Sequence, residues 1–132
     1  MVNVRHGLRP DLRSRGASAV EFALLLPLLI VLLFGIIQFG LAYNARNTIT
    51  HAAREGVRAA AIDEGSLATA TAKVNEAAPN LLGLQVSVSH SPKCTPGESF
   101  TVTVRYTHTY EIPLFGSPTI NMVERGTMRC GG

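Results

Sequence analysis

The chain has 132 residues, 46% of them apolar and 16% charged, and its 12 Lys and Arg against 9 Asp and Glu give a formal charge of +3. That length suits one modest domain with a small core and no large substrate cleft. The excess charge is local: Arg5, Arg9, Arg13 and Arg15 against Asp11 account for all of it, so the part from Ala17 onward is formally neutral. The basic balance therefore gives no argument for nucleic-acid binding, which needs a basic patch on the folded part, and no nucleic-acid partner is expected.

Residues 1–16, MVNVRHGLRPDLRSRG, lack apolar periodicity and contain Pro10, which predicts a flexible basic leader outside the fold. An ordinary secretory signal would continue with an apolar stretch of about 7 to 15 residues and then a small-x-small cleavage site. The apolar run from Phe22 to Ile37 is longer, and its small-x-small candidate, Gly40-Leu41-Ala42, lies beyond it.

Residues 17–43 are predicted to cross a membrane as a helix. No charge occurs from Phe22 to Ala45, and roughly 20 apolar residues suffice to span the hydrocarbon core. Leucine and isoleucine cover every face of the run, where a soluble core helix would keep a polar stripe. Glu21 stands at the entrance, and a carboxylate facing lipid costs on the order of 3 kcal/mol, so something must compensate it unless it snorkels to the headgroups. Pro27 removes one N–H and crowds the carbonyl of Ala23, predicting a kink. Gly35 and Gly40 are five apart, which does not match a small-xxx-small helix pair. The leader arginines outweigh Arg46, so the N-terminus is expected in the cytoplasm, with Tyr43 at the far interface and residues 44–132 exported.

In the exported part, Ala45, Ile49, Ala52, Ala53, Gly56, Val57, Ala60 and Ala61 recur at helical spacing, predicting an amphipathic helix over about 44–62 with a close-packing face. Ser66 reads as an N-cap and Pro79 as a stop for a second helix over about 66–78. Strands follow at about 84–90, 99–112 and 119–130. In the second, Phe100, Val102, Val104, Tyr106, Tyr110 and Ile112 alternate with polar residues, the pattern of one buried and one wet face. In the third, the alternation breaks around Glu124, Arg125 and Gly126, which predicts a bulge. The fold class is α+β: a long N-terminal transmembrane helix extending into an exported amphipathic helix, a second short helix, and a small three-stranded antiparallel sheet.

Chemistry-bearing residues are scattered. His51, His90, His108, Cys94 and Cys130 show no CxxC or HxxxH spacing that would hold zinc. Ser66, His51 and Asp63 could be imagined as a triad, but no nucleophile elbow accompanies them. No phosphate-binding glycine loop occurs. No enzyme, cofactor, metal or small-molecule substrate is expected. In an oxidising compartment Cys94 and Cys130 can form a disulfide, credited with about 4 kcal/mol for a loop of that length, the alternative being two buried thiols.

The junction itself carries the sharpest signal. A basic leader, Gly16, the small residues Ala17 to Ala19, Glu21 at the fifth position after the glycine, Phe22 and an apolar helix together resemble the class III signals of type IV prepilins and pseudopilins. With RGASAVEFALLLPLL, AYNARNTITHAAREGVRAAA and a terminal TMRC, the chain resembles the TadE-like family of the tight-adherence (Tad, Flp) pilus system, most closely over residues 14–62. The resemblance implies a minor pseudopilin of the cell membrane, because the major Flp subunits are much shorter. It implies cleavage between Gly16 and Ala17 by a prepilin peptidase, and association with membrane lipid and other pilins. Cleavage would free an Ala17 amine, mostly cationic at neutral pH, to pair with Glu21 in low dielectric. The alternative is a signal-anchored extracytoplasmic binding or adhesion module that never enters a filament.

Overall fold

The computed structural model describes residues 12–89, 95–112 and 115–130, with side chains from Gly16 onward. In chain order it contains α1 (Leu12–Ile62), α2 (Leu67–Ala77), β1 (Gln85–Val88), β2 (Ser99–Thr109) and β3 (Thr119–Arg129). The fold is α+β, as the sequence pattern predicts. Two compact units divide between Ile36 and Ile37.

In the first unit, every described side chain is exposed, including Leu24, Leu28 and Ile36. α1 is the helix long and apolar enough to cross a membrane among the described residues, and a helix satisfies its backbone polar groups internally, as lipid demands. It runs unbroken through Pro27. It also begins at Leu12, where the sequence predicts an unstructured leader. Leu12, Arg13 and Arg15 are good helix formers, and extending an existing helix by a turn avoids the cost of nucleation. Residues 1–11 lie outside the described residues.

The second unit is built on the continuation of α1. Ala42, Ala45, Ile49, Ala52, Ala53, Gly56, Val57 and Ala60 are buried, a stripe set by the 3.6-residue period. Against it pack Phe100, Val102 and Val104 of β2, with Ala70 and Val74 of α2. Small side chains on the helix bring the layers close. A Cβ added at Gly56 would stand 2.6 Å from Val74 Cγ2 and 3.3 Å from the Ala70 carbonyl oxygen. α2 opens on Ser66, whose hydroxyl accepts from the Thr69 N–H at 3.2 Å, and closes where the Ala78 N–H donates to the Val74 carbonyl. On its exposed side, the Lys73 ammonium donates to Glu76 at 2.6 Å.

The sheet is an antiparallel meander in the order β1, β2, β3. The bulge expected in β3 is absent: pairing runs from Ser99 opposite Arg129 to Thr109 opposite Thr119 without an inserted residue. Each apparent break in the pattern has its own cause. Even-numbered positions of β3 share the helix-facing side with Val102 and Val104. There Glu124 accepts a charged hydrogen bond from Arg46 Nε at 3.0 Å. Gly126 is buried, and a Cβ at that position would lie 2.4 Å from the Ala53 carbonyl oxygen. A salt bridge and a close approach replace apolar side chains, and the pairing register continues unbroken.

Candidate membrane and assembly surface

The sequence-predicted processing and pairing residues all lie on α1. Gly16, Ala17, Glu21 and Phe22 are exposed. Ala17 and Glu21 are four apart, so they share one helix face, and the Glu21 side chain leans toward the N-terminal turn. Pro27 follows within the same helix. Cys130 is buried at the end of the core, while Cys94 falls outside the described residues, as does His90.

The candidate catalytic constellation is not assembled. Ser66 caps α2, and the Asp63 carboxylate accepts from the Thr69 hydroxyl in the same turn, so both are engaged in local structure. His51 is exposed on α1. His108 stands between two rings, with centroids 6.1 Å from Tyr106 and 5.0 Å from Tyr110. Its buried Nε2 has no hydrogen-bond partner among the described residues. No group of three or more His, Cys, Asp or Glu gathers as metal donors among the described residues. The hydrogen bond to Glu76 chiefly raises the titration of the exposed Lys73 above its ordinary value.

Sequence reasoning missed a groove of about 530 Å³ between α1 and β3, lined by Phe39, Ala42, Tyr43, Tyr110, Ile120 and Met122. Arg46 and Glu124, joined by their hydrogen bond, also line it. Gln38 Nε2 donates to the Glu111 carbonyl at 3.1 Å, tying the β2–β3 connection to the helix. That connection stays paired past β2: the Tyr110 N–H donates to the Pro118 carbonyl and the Ile112 N–H to the Gly116 carbonyl. Gly116 takes a φ of 91°, a turn conformation that disfavours any side chain. The one sequence signal for this surface was Tyr43, an aromatic at the expected end of the span.

These features define a class: a small α+β head borne on the continuation of a candidate single-pass membrane helix. Residues 16–58 match the family model described as TadE-like protein, a family of tight-adherence pilus components. The match begins at Gly16 and lies wholly within α1, so it covers the signal-like junction, the apolar run and most of the amphipathic stretch, and leaves the sheet outside. Comparison with curated proteins and with solved structures finds no match.

Proposed function

We propose that this protein is a minor pseudopilin, or pilus-assembly component, of a tight-adherence system. In this reading a prepilin peptidase cuts after Gly16 on the cytoplasmic side, and residues 44–132 lie outside the cytoplasm. The observation that carries the proposal is the family match starting at Gly16, directly before the Ala17 to Glu21 spacing and an apolar helix with no buried side chain in its span.

The chemistry follows from the cut. Before cleavage, Ala17 offers an amide; afterwards it offers an amine with a reference pKa near 8, cationic at neutral pH. On a helix entering lipid, that cation compensates Glu21 of a neighbouring subunit or of its own chain, and neither group need then face lipid alone. Processing therefore licenses packing among other pilins. A Cys94–Cys130 disulfide would close the head; Cys130 sits in the core, and no free cysteine occurs among the described residues.

Intact-mass spectrometry of the protein from its native cell tests the reading. The expected product begins at Ala17. A mature protein that keeps the arginine leader, purified without any pilin, would instead make it an anchored module outside the filament.

A further inference from the structure

β3 is the last strand of the sheet, and along its 11 residues one edge has no neighbouring strand. The ladder assigns its polar groups. The Tyr110 N–H donates to the Pro118 carbonyl and the Cys130 N–H to the Glu98 carbonyl; both pairs continue the β2–β3 register, so even-numbered residues of β3 are the ones bonded to β2. Asn121, Val123, Arg125 and Thr127 therefore turn their N–H and carbonyl groups to the open edge, where no backbone bond joins them to another described element. Such an edge is a template for an added strand.

The two sides of the edge define that strand, and all the residues involved belong to the second unit. On the helix side lies the groove of about 530 Å³. Residues 120–124 line it consecutively, facing Phe39, Ala42 and Tyr43 of α1; because successive side chains alternate between faces, a groove touching all of them runs along the free edge. On the outer face, the odd-numbered positions of β1, β2 and β3 carry Arg105, Arg125 and Arg129 and no carboxylate. The polar residues around them are tied to one another: Thr101 to Thr127 at 3.0 Å and Thr107 to Asn121 at 2.9 Å. The three arginines are exposed and have no hydrogen bond or ion pair among the described residues. Arg105 is diagonal to Arg125 across the strands, about 7–8 Å away, and Arg129 lies about 13 Å further along β3.

We infer that the open edge of β3 receives an extended segment of another protein as a fourth strand, with apolar side chains on its α1 side entering the groove and acidic side chains on its outer side meeting Arg125 and Arg129. Main-chain bonds hold the segment, and the guanidinium forks select carboxylates. A second copy of β3 is a poor occupant. Two-fold antiparallel pairing keeps the outer faces together, so it lines the seam with arginines from both copies and offers no carboxylate, and like charges across strands destabilise pairing. The inference concerns the head alone and requires neither cleavage after Gly16 nor entry into a filament.

The test uses full-length protein in detergent micelles, labelled with nitrogen-15, and three capped nine-residue peptides that alternate glutamate with valine, lysine with valine, or glutamate with serine. The expected result is saturable binding of the glutamate–valine peptide, with exchange of the Val123 and Arg125 amides slowed by the bound peptide while the Met122 and Glu124 amides, already bonded to β2, change little. Val123→Pro removes one outward N–H without touching the β2 ladder and should abolish binding; Arg125→Glu should weaken it about tenfold. Arg125 is exposed, so that variant is expected to melt with the unmodified chain and decides the matter if the proline variant unfolds. Absence of binding, or binding that leaves the Val123 and Arg125 amides exchanging, overturns the inference. Equal binding of the lysine–valine peptide removes the role of the arginines, and equal binding of the glutamate–serine peptide removes that of the groove; either overturns it. Protection of the same amides that rises with protein concentration and needs no peptide shows β3 pairing with a second copy, and overturns it too.

Discussion

Replacing Gly126 with alanine puts a methyl carbon 2.4 Å from the Ala53 carbonyl oxygen, 2.8 Å from its carbonyl carbon and 3.0 Å from Val57 Cγ1. The first two obstacles are helix backbone, which no rotamer change can move, so β3 or α1 must shift bodily. Overpacking of a close-packed core costs about 1–3 kcal/mol where side chains can adjust; a backbone clash belongs at the upper end, about 3 kcal/mol. In a domain of this size each kcal/mol moves the melting midpoint by about 4–8 °C, which gives a loss of about 12–24 °C. The assay is thermal unfolding in detergent micelles followed by near-ultraviolet circular dichroism, where Tyr106 and Tyr110 report the head and the helical signal of the span does not intrude. Gly56→Ala serves as comparison: its added carbon meets Val74 Cγ2 at 2.6 Å, a side-chain atom, and alanine returns about 1 kcal/mol of helix propensity, so its loss should be smaller. Gly40→Ala meets nothing within 4 Å and should not lower the midpoint. A Gly126→Ala midpoint within about 4 °C of the unmodified protein would refute the close approach of β3 to α1.

Ser66→Ala removes the side-chain acceptor of the Thr69 N–H and should cost about 1 kcal/mol, read as a lower midpoint in the same melt; Ser66→Gly should cost less. Glu124→Gln leaves the Arg46 contact without its charge, and because the Arg46 side chain is 68% exposed the loss should stay below about 1 kcal/mol and vanish in high salt, as denaturant titrations at two ionic strengths would show. Glu21→Gln should insert in the membrane as well as the unmodified chain yet assemble poorly, measured by membrane fractionation alongside recovery of sheared filaments; undiminished recovery would remove the pairing role.

What could be read in advance depended on how local the cause was. Ser66 caps α2 through a contact three residues away, a local signal, and the helix runs Leu67–Ala77. The β2 pattern of Phe100, Val102 and Val104 was legible because each buried position repeats every second residue. Glu124 and Gly126 were not, since their partners, Arg46 and Ala53, lie more than seventy residues away in the chain, and a glycine fitted to a carbonyl looks in sequence like a defect. The start of α1 at Leu12 was obscured by composition: arginines signal orientation at a membrane, and the same residues are strong helix formers. On the candidate surface, the Gly16 to Phe22 junction could be recognised as a contiguous string. The groove could not, because Phe39 and Tyr43 come from a helix while Tyr110 and Ile120 flank a turn.

One wall of the head's core, Ala42 to Ala60, belongs to α1, while the opposing side chains reach as far as Cys130. Synthesis runs from the N-terminus, and pairings of such sequence separation form late. The alanine stripe is therefore among the first parts of the head to leave the ribosome and the last to be covered. A chain that stops before β3 leaves Ala53 bare and β2 with an open edge. Truncation ahead of Thr119 should thus leave a head that proteases remove, and abundance of the head would be governed by completion of its third strand.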